Sequence, residues 1–186
     1  RHVTKLRAMS PLWEMAQDVN RLMAHDTGQS GRFMTLFWLA VDPASQTMTW
    51  VKAGHDPALV YSPSAKAFGE LDVRGIPLGI EPCWGYEQGR RQGFEAGEVV
   101  VLGTDGIWEC RDASGRMYGK ERLKDVVASH ASLHARDIVE AALADVQGFL
   151  GRCPRQDDLT LVVLKALKGN GKPVQNCNFN QQSTLL

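Results

Sequence analysis

An excess of charge of either sign is missing from this 186-residue chain, in which 21 Lys and Arg stand against 21 Asp and Glu. Nucleic acids and anionic membranes are held through basic patches or stripes, and zero formal charge gives no electrostatic case for either. No apolar run approaches the ~20 residues a membrane helix needs, so no membrane insertion is expected from this segment. Nothing near Arg1 has the pattern of a signal peptide. Cysteine is sparse. Cys83, Cys110, Cys153 and Cys177 lie far apart with no Cys-x-x-Cys pair, which excludes zinc spacing and reads as reduced thiols in a cytoplasmic protein. A Gly-x-x-x-x-Gly-Lys phosphate loop is also absent, which counts against an enzyme of nucleotides.

What is present centres on residues 99–109, VVVLGTDGIWE. Val99 to Leu102 read as a short buried strand, and Gly103 breaks it just before Thr104, Asp105 and Gly106. An acidic group therefore stands at a strand end, with a glycine on each side of Thr104-Asp105 to admit close approach of backbone or ligand. Taken alone, Asp105-Gly106 is also an ordinary turn. A second acidic site, Gln156-Asp157-Asp158-Leu159-Thr160, opens the apolar run 159–164, so here the carboxylates precede a strand. Antiparallel pairing of the two strands would bring Asp105 and Asp157 together. Crowded carboxylates repel, and a divalent cation removes that conflict. Hard oxygen donors without a His or Cys companion favour Mg²⁺ or Mn²⁺ over zinc.

Around this centre the pattern is mixed. Ser10-Pro11 marks a helix start, and Leu12, Met15, Val19, Leu22 and Met23 give it one apolar face up to a loop at 28–31. Residues 33–41 and 47–53 form a hairpin across Asp42-Pro43-Ala44-Ser45, and Leu59-Val60-Tyr61 continues an antiparallel meander. His55, in Gly54-His55-Asp56-Pro57, lacks a partner at ligand spacing and reads as a turn residue, not a metal ligand. Residues 62–70 read as a loop, and 86–94 as an edge strand. Helices follow over 120–129 and over 135–150, the latter burying Ile138, Ala142, Leu143, Val146 and Leu150. The result is a layered α+β domain. From 168 to 186 the composition is polar and reads as a disordered tail.

The succession GRFMTLFWLAVD, AGHDPALVY, GIPLGI, EVVVLGTDGIWE, GRMYGKERL and QDDLTLVVL resembles the bacterial branch of the PPM-type (PP2C-like) metal-dependent serine/threonine phosphatases, typified by stage II sporulation protein E and the phosphatases of sigma-factor partner switching. Thr104-Asp105-Gly106 and Asp157-Asp158-Leu159-Thr160 are the specific parts. The resemblance implies an αββα sandwich of two mainly antiparallel sheets flanked by helices, occupying residues 1–167. It implies two ions, Mn²⁺ or Mg²⁺, with Asp105 and Asp157 as ligands, Gly106 beside them, Asp158 and Thr104 in support, and no catalytic residue beyond the metal ligands. The substrate it implies is a phosphorylated protein, an anti-sigma-factor antagonist or a comparable regulator, with a sensor or receiver domain upstream in the parent.

One family element has no counterpart here. An earlier glycine-rich motif, whose aspartate bridges both ions, should precede the helix tail that residues 1–8 resemble. Truncation is the expected cause. The missing acid also supports an alternative, a phosphatase-like module that binds a regulatory partner without hydrolysis.

Overall fold

The computed structural model describes residues 11–27 and 30–167. The expected helix tail over 1–8, the Ser10 cap and the polar segment over 168–186 lie outside them. Helix α1 (Leu12–Thr27) starts at Pro11, whose carbonyl accepts the N–H groups of Glu14 and Met15 at 3.0 and 3.2 Å. Proline suits this place because it has no N–H, and an N–H in a first turn would be left unpaired. Leu12, Ala16 and Asn20 form the buried stripe, flanked by Met15, Val19 and Met23. Leu22, expected on that face, is 67% exposed. Two positions past Asn20, it is turned about 200° round the helix from the stripe.

Asn20 is the polar member of the stripe and is fully buried. Its Nδ2 donates to the carbonyls of Glu81 and Pro82 at 2.8 and 3.3 Å, and its Oδ1 accepts the Gly79 N–H at 2.8 Å. One side chain thereby satisfies three backbone groups of a loop that has no regular pairing, which is the condition for burying them. The same loop is anchored by Leu78, fully buried, whose N–H and carbonyl exchange bonds with Met34 at 2.8 and 3.0 Å.

The strands form two sheets. The first has β1 (Leu36–Asp42), β2 (Thr47–Ala53) and β5 (Gln88–Gln92) in the order β1-β2-β5, with β5 at an edge as expected. The second has β3 (Ala58–Ser62), β4 (Ala67–Leu71), β6 (Val99–Gly103) and β7 (Leu161–Lys165) in the order β4-β3-β6-β7, every pair antiparallel. The α+β class with two antiparallel sheets and helices therefore stands. Two local expectations do not. Leu59-Val60-Tyr61 does not extend a meander from the first hairpin but belongs to the second sheet, and the supposed loop 62–70 contains most of β4, which pairs with β3 from Ser62↔Ala67 to Ala58↔Leu71.

The chain divides into two compact units. The first contains α1 and the sheet β1-β2-β5, with a core of Leu12, Ala16, Val51, Ala53, Leu78 and Tyr86. The second contains the sheet β4-β3-β6-β7, a short helix α2 (Asp105–Trp108), α3 (Lys120–His130) and α4 (Ala135–Leu150). Its core joins Leu59, Val99 and Val101 of the sheet to Ile107, Leu123, Ile138 and Val146 of the helices. Along α4, Ile138, Ala142, Val146 and Leu150 are buried as expected, while Leu143 sits at the rim, 37% exposed.

Helices α3 and α4 are tied by a polar clamp over this core. Arg122 holds Asp145 with two bonds, Nε to Oδ2 at 2.7 Å and Nη2 to Oδ1 at 3.0 Å, and Tyr118 donates its hydroxyl to the same Oδ2 at 2.8 Å. The guanidinium also lies over the rings of Tyr118 and Phe149, 5.3 and 5.0 Å from their centroids. The Arg122 hydrogen bonds, followed by that from Tyr118, hold the Asp145 carboxyl below its usual range against the opposing effect of burial. A carboxylate whose folded pKa is depressed stabilises the fold above its unfolded pKa and loses that contribution as pH falls. Because the pair is partly exposed, Asp145→Asn should cost only about 1 kcal/mol at pH 7. Urea unfolding should show the gap between variant and wild type closing as pH drops from about 5 towards 3.

Candidate active site

The second unit brings the two acidic motifs together. β6 and β7 pair antiparallel from Val99↔Lys165 to Gly103↔Leu161, so the end of one strand lies beside the start of the other. Just past that register, Thr104 ties the two chain segments. Its N–H donates to the Thr160 carbonyl at 3.1 Å, its hydroxyl donates to the Asp158 carbonyl at 3.2 Å, and the hydroxyl oxygen accepts the Thr160 N–H at 3.1 Å. A threonine side chain thus continues the ladder where the strands stop.

Sequence reading left Asp105-Gly106 as a strand end or a turn; the structure makes it the first turn of α2. Ile107 and Trp108 are buried in the core, which turns the helix so that Asp105 and Glu109 remain exposed. The Lys120 ammonium lies 4.7 Å from the Trp108 ring centroid and completes that packing. Gly106 faces the other segment. A Cβ there would sit 2.4 Å from the Asp158 carbonyl oxygen and 3.5 Å from Asp157 Cβ. The glycine is required by this approach of backbone to backbone, and the approach places Asp157 against the first turn that Asp105 begins.

Both carboxylates are prepared in the same way. Asp105 Oδ1 accepts the Gly106 N–H at 2.9 Å, and Asp157 Oδ1 accepts the Asp158 N–H at 2.7 Å. Each side chain is held by its own following amide, and among the described residues neither Oδ2 has a hydrogen-bond donor or a cation. Asp158 contributes its carbonyl to Thr104 and its N–H to Asp157. Hard oxygen donors at an exposed position suit Mg²⁺ or Mn²⁺ in kind. In number they fall short. Every Asp and Glu of the chain lies among the described residues, and no three His, Cys, Asp or Glu among those residues are grouped to hold an ion.

Beside Asp157 opens a cavity of about 210 Å³, whose walls include Gly106, Cys110, Arg111, Leu150 and Arg155. Burial pushes the Cys110 thiol up, outweighing the Arg122 charge that pulls it down. It is therefore a protonated wall residue and a poor nucleophile. Arg111 and Arg155 were not singled out from the sequence, since isolated arginines next to turn residues carry no pattern.

Comparison with known proteins agrees with the motifs. The family model of stage II sporulation protein E matches residues 4–167. The chain belongs to the stage II sporulation protein E family. Its similarity to the phosphoserine phosphatase RsbU of Bacillus subtilis is 29% identity over 155 residues, covering 82% of this chain and 44% of that protein. The SiaA-PP2C domain of Pseudomonas aeruginosa has a similar fold at 18% identity, with a TM-score of 0.72 over 83% of this chain and 60% of that one. The phosphatase domain of the cell fate determinant SpoIIE from Bacillus subtilis, presoaked with Mn, superposes with a TM-score of 0.58 at 14% identity, over 91% of this chain and 80% of that one. The chain thus spans less than half the length of the RsbU relative.

The geometry makes Gly106 the position whose substitution most directly separates the motifs. Gly106→Ala should destabilise the protein by about 1–3 kcal/mol, the range for forcing atoms into a packed contact. Thr104→Val should cost about 1–3 kcal/mol by leaving the Thr160 N–H and the Asp158 carbonyl short of a partner. Denaturant midpoints of the two variants against wild type measure both.

Proposed function

We propose that residues 4–167 are the phosphatase domain of a stage II sporulation protein E family enzyme that hydrolyses phosphoserine or phosphothreonine on a regulatory protein. The observation that carries this reading is the pair Asp105 and Asp157, brought together from opposite strand ends, exposed, and each with one carboxylate oxygen left without a donor. The name of the RsbU relative, a phosphoserine phosphatase, supports the substrate class. Asp105 and Asp157 would hold Mn²⁺ or Mg²⁺, with Gly106 allowing the approach and Thr104 and Asp158 fixing the two segments. Bound there, such ions supply Lewis acidity towards phosphoryl oxygens and a nucleophilic water at neutral pH. The chain's own residues hold the carboxylates apart from the core, and the cavity beside Asp157 has the protonated Cys110 thiol in its wall.

The regulatory protein in this reading is an anti-sigma-factor antagonist or a comparable cytoplasmic switch, and the parent carries a sensor or receiver domain upstream. A second reading follows from the donor shortfall. Two carboxylates hold one hydrated ion, whereas a two-ion centre needs a further acid to bridge and offset the repulsion between cations. All acids of this chain are accounted for, so that bridging acid would come from a segment outside it. Without it, the same surface binds a phosphoprotein and does not hydrolyse it.

Assays with Mn²⁺ on a phosphoserine peptide separate the two. A chain extended upstream should turn over, stop when chelator is added, and lose at least about a hundredfold in kcat/KM with Asp105→Asn or Asp157→Asn. The chain as given should bind Mn²⁺ weakly, seen by calorimetry, and hydrolyse little. Full turnover of the extended chain in excess chelator would overturn the metal reading. Equal turnover of the two chains would show that two carboxylates suffice.

A further inference from the structure

We infer that the cavity beside Asp157 is a side-chain subsite for the peptide flanking the phosphorylated residue, and that Arg111 and Arg155 select an acidic side chain there; this rests on the phosphatase reading above. The cavity is lined by Asp157 of the carboxylate pair and by Gly106, the residue after Asp105, so what enters it lies beside that pair. Its volume of about 210 Å³ is below the ~300–1,000 Å³ of pockets that enclose a small molecule, and suits one or two side chains. Leu150, 3% exposed, and Leu159, packed against the same core, form the apolar part of an otherwise polar lining, so a carbon stem is accepted as well as a charged head.

The charge of the walls decides which head. Three other arginines of this unit are committed, Arg116 to Asp112, Arg122 to Asp145 and Arg136 to Glu140, while the exposed Arg152 does not line the cavity. Arg111 and Arg155 are not so committed. Arg111 Nη1 donates to the Gly115 carbonyl at 2.9 Å and Arg155 Nη2 to Gln147 Oε1 at 3.5 Å, both neutral oxygens, and neither guanidinium meets a carboxylate among the described residues. The walls also contain Asp157 and Glu109. With Asp157 engaged by a cation, two guanidiniums face one carboxylate and the subsite is left positive. A planar guanidinium fork matches a carboxylate, and the charge-assisted bonds it forms are stronger than neutral ones.

The test is calorimetric binding to this chain with Mn²⁺ present, using four peptides that carry phosphoserine or serine, each with Glu or Gln at the flanking positions. Wild type should bind the Glu phosphopeptide about tenfold more tightly than the Gln one. Arg155→Glu should abolish or invert that ratio, Arg111→Ala should reduce it, and Arg155→Lys should retain part of it. Both side chains are exposed, so the variants are expected to fold. Equal affinities of wild type for the Glu and Gln phosphopeptides would overturn the subsite while leaving the phosphatase reading intact. An equal loss for both peptides in Arg155→Glu would also overturn it, because the arginine would then be acting on the phosphoryl group or on overall charge. A Glu preference that persists in the serine pair, with phosphorylation adding nothing, would support the subsite and sink the phosphatase reading.

Discussion

The contact on which the site depends is the approach of Gly106 to the Asp158 carbonyl, closed by the Thr104 hydroxyl that bonds the same segment on both sides. These contacts, set on the end of the β6–β7 ladder, hold the Asp105 segment beside that of Asp157. Three hydrogen bonds at Thr104, each worth about 1 kcal/mol net, tie the two segments together. The ladder below sets their position. Gly103↔Leu161 is the last pair of β6 and β7, and a slip of one residue would turn Val99 and Val101 out of the core and carry Thr104 away from Thr160.

That register is in turn held from beneath. Val99 and Val101 pack into one core with Leu123 and Val127 of α3 and with Ile138, Ala142 and Val146 of α4, all of them close to fully buried. Lys165 at the end of β7 donates to the carbonyls of Ala131, at 2.6 Å, and of Leu133, just beyond α3. A cation at a helix C-terminus satisfies carbonyls that the helix leaves open and interacts favourably with its dipole. The strand that follows Asp157 is therefore fixed at both ends, by Thr104 at its start and by the end of α3 at its finish.

The parts of this arrangement that were legible in the sequence are those with a strong local period or a paired motif. Residues 135–150 repeat apolar groups at helical spacing, and 99–102 and 161–164 are uninterrupted apolar runs, so α4, β6 and β7 are recognised directly. The antiparallel meeting of the two acidic motifs followed from one lying after a strand and the other before one. What was missed lacked such signals. β4 has the sequence Ala-Phe-Gly-Glu-Leu with little alternation, and the turn before it places Lys66 at φ 49°, a left-handed position that pattern reading looks for glycine or asparagine to fill. The crossing from one sheet to the other between β2 and β3 has no composition signal, because consecutive strands are more often neighbours. Asn20 was hidden by its setting, one polar residue four places after Ala16 in an apolar stripe. Its function is to satisfy the backbone of a distant loop, which no local pattern announces.

The chemistry and the fold are separated by single steps along the chain. Asp105 is exposed and Gly106 buried; Asp157 is exposed and contributes nothing to the core, while Leu159 packs against it. Removing either carboxylate would sacrifice only a bond to the residue's own neighbouring amide. Removing Gly106, Ile107 or Trp108 would disturb packing directly. The fold is thus indifferent to the residues that define the site and intolerant of change in the residues beside them. Asp105 and Asp157 are held out of the core by neighbours, Gly106 and Leu159, whose own packing does not involve the carboxylates. In the reading proposed above, the two carboxylate oxygens that have no donor among the described residues would face a cation.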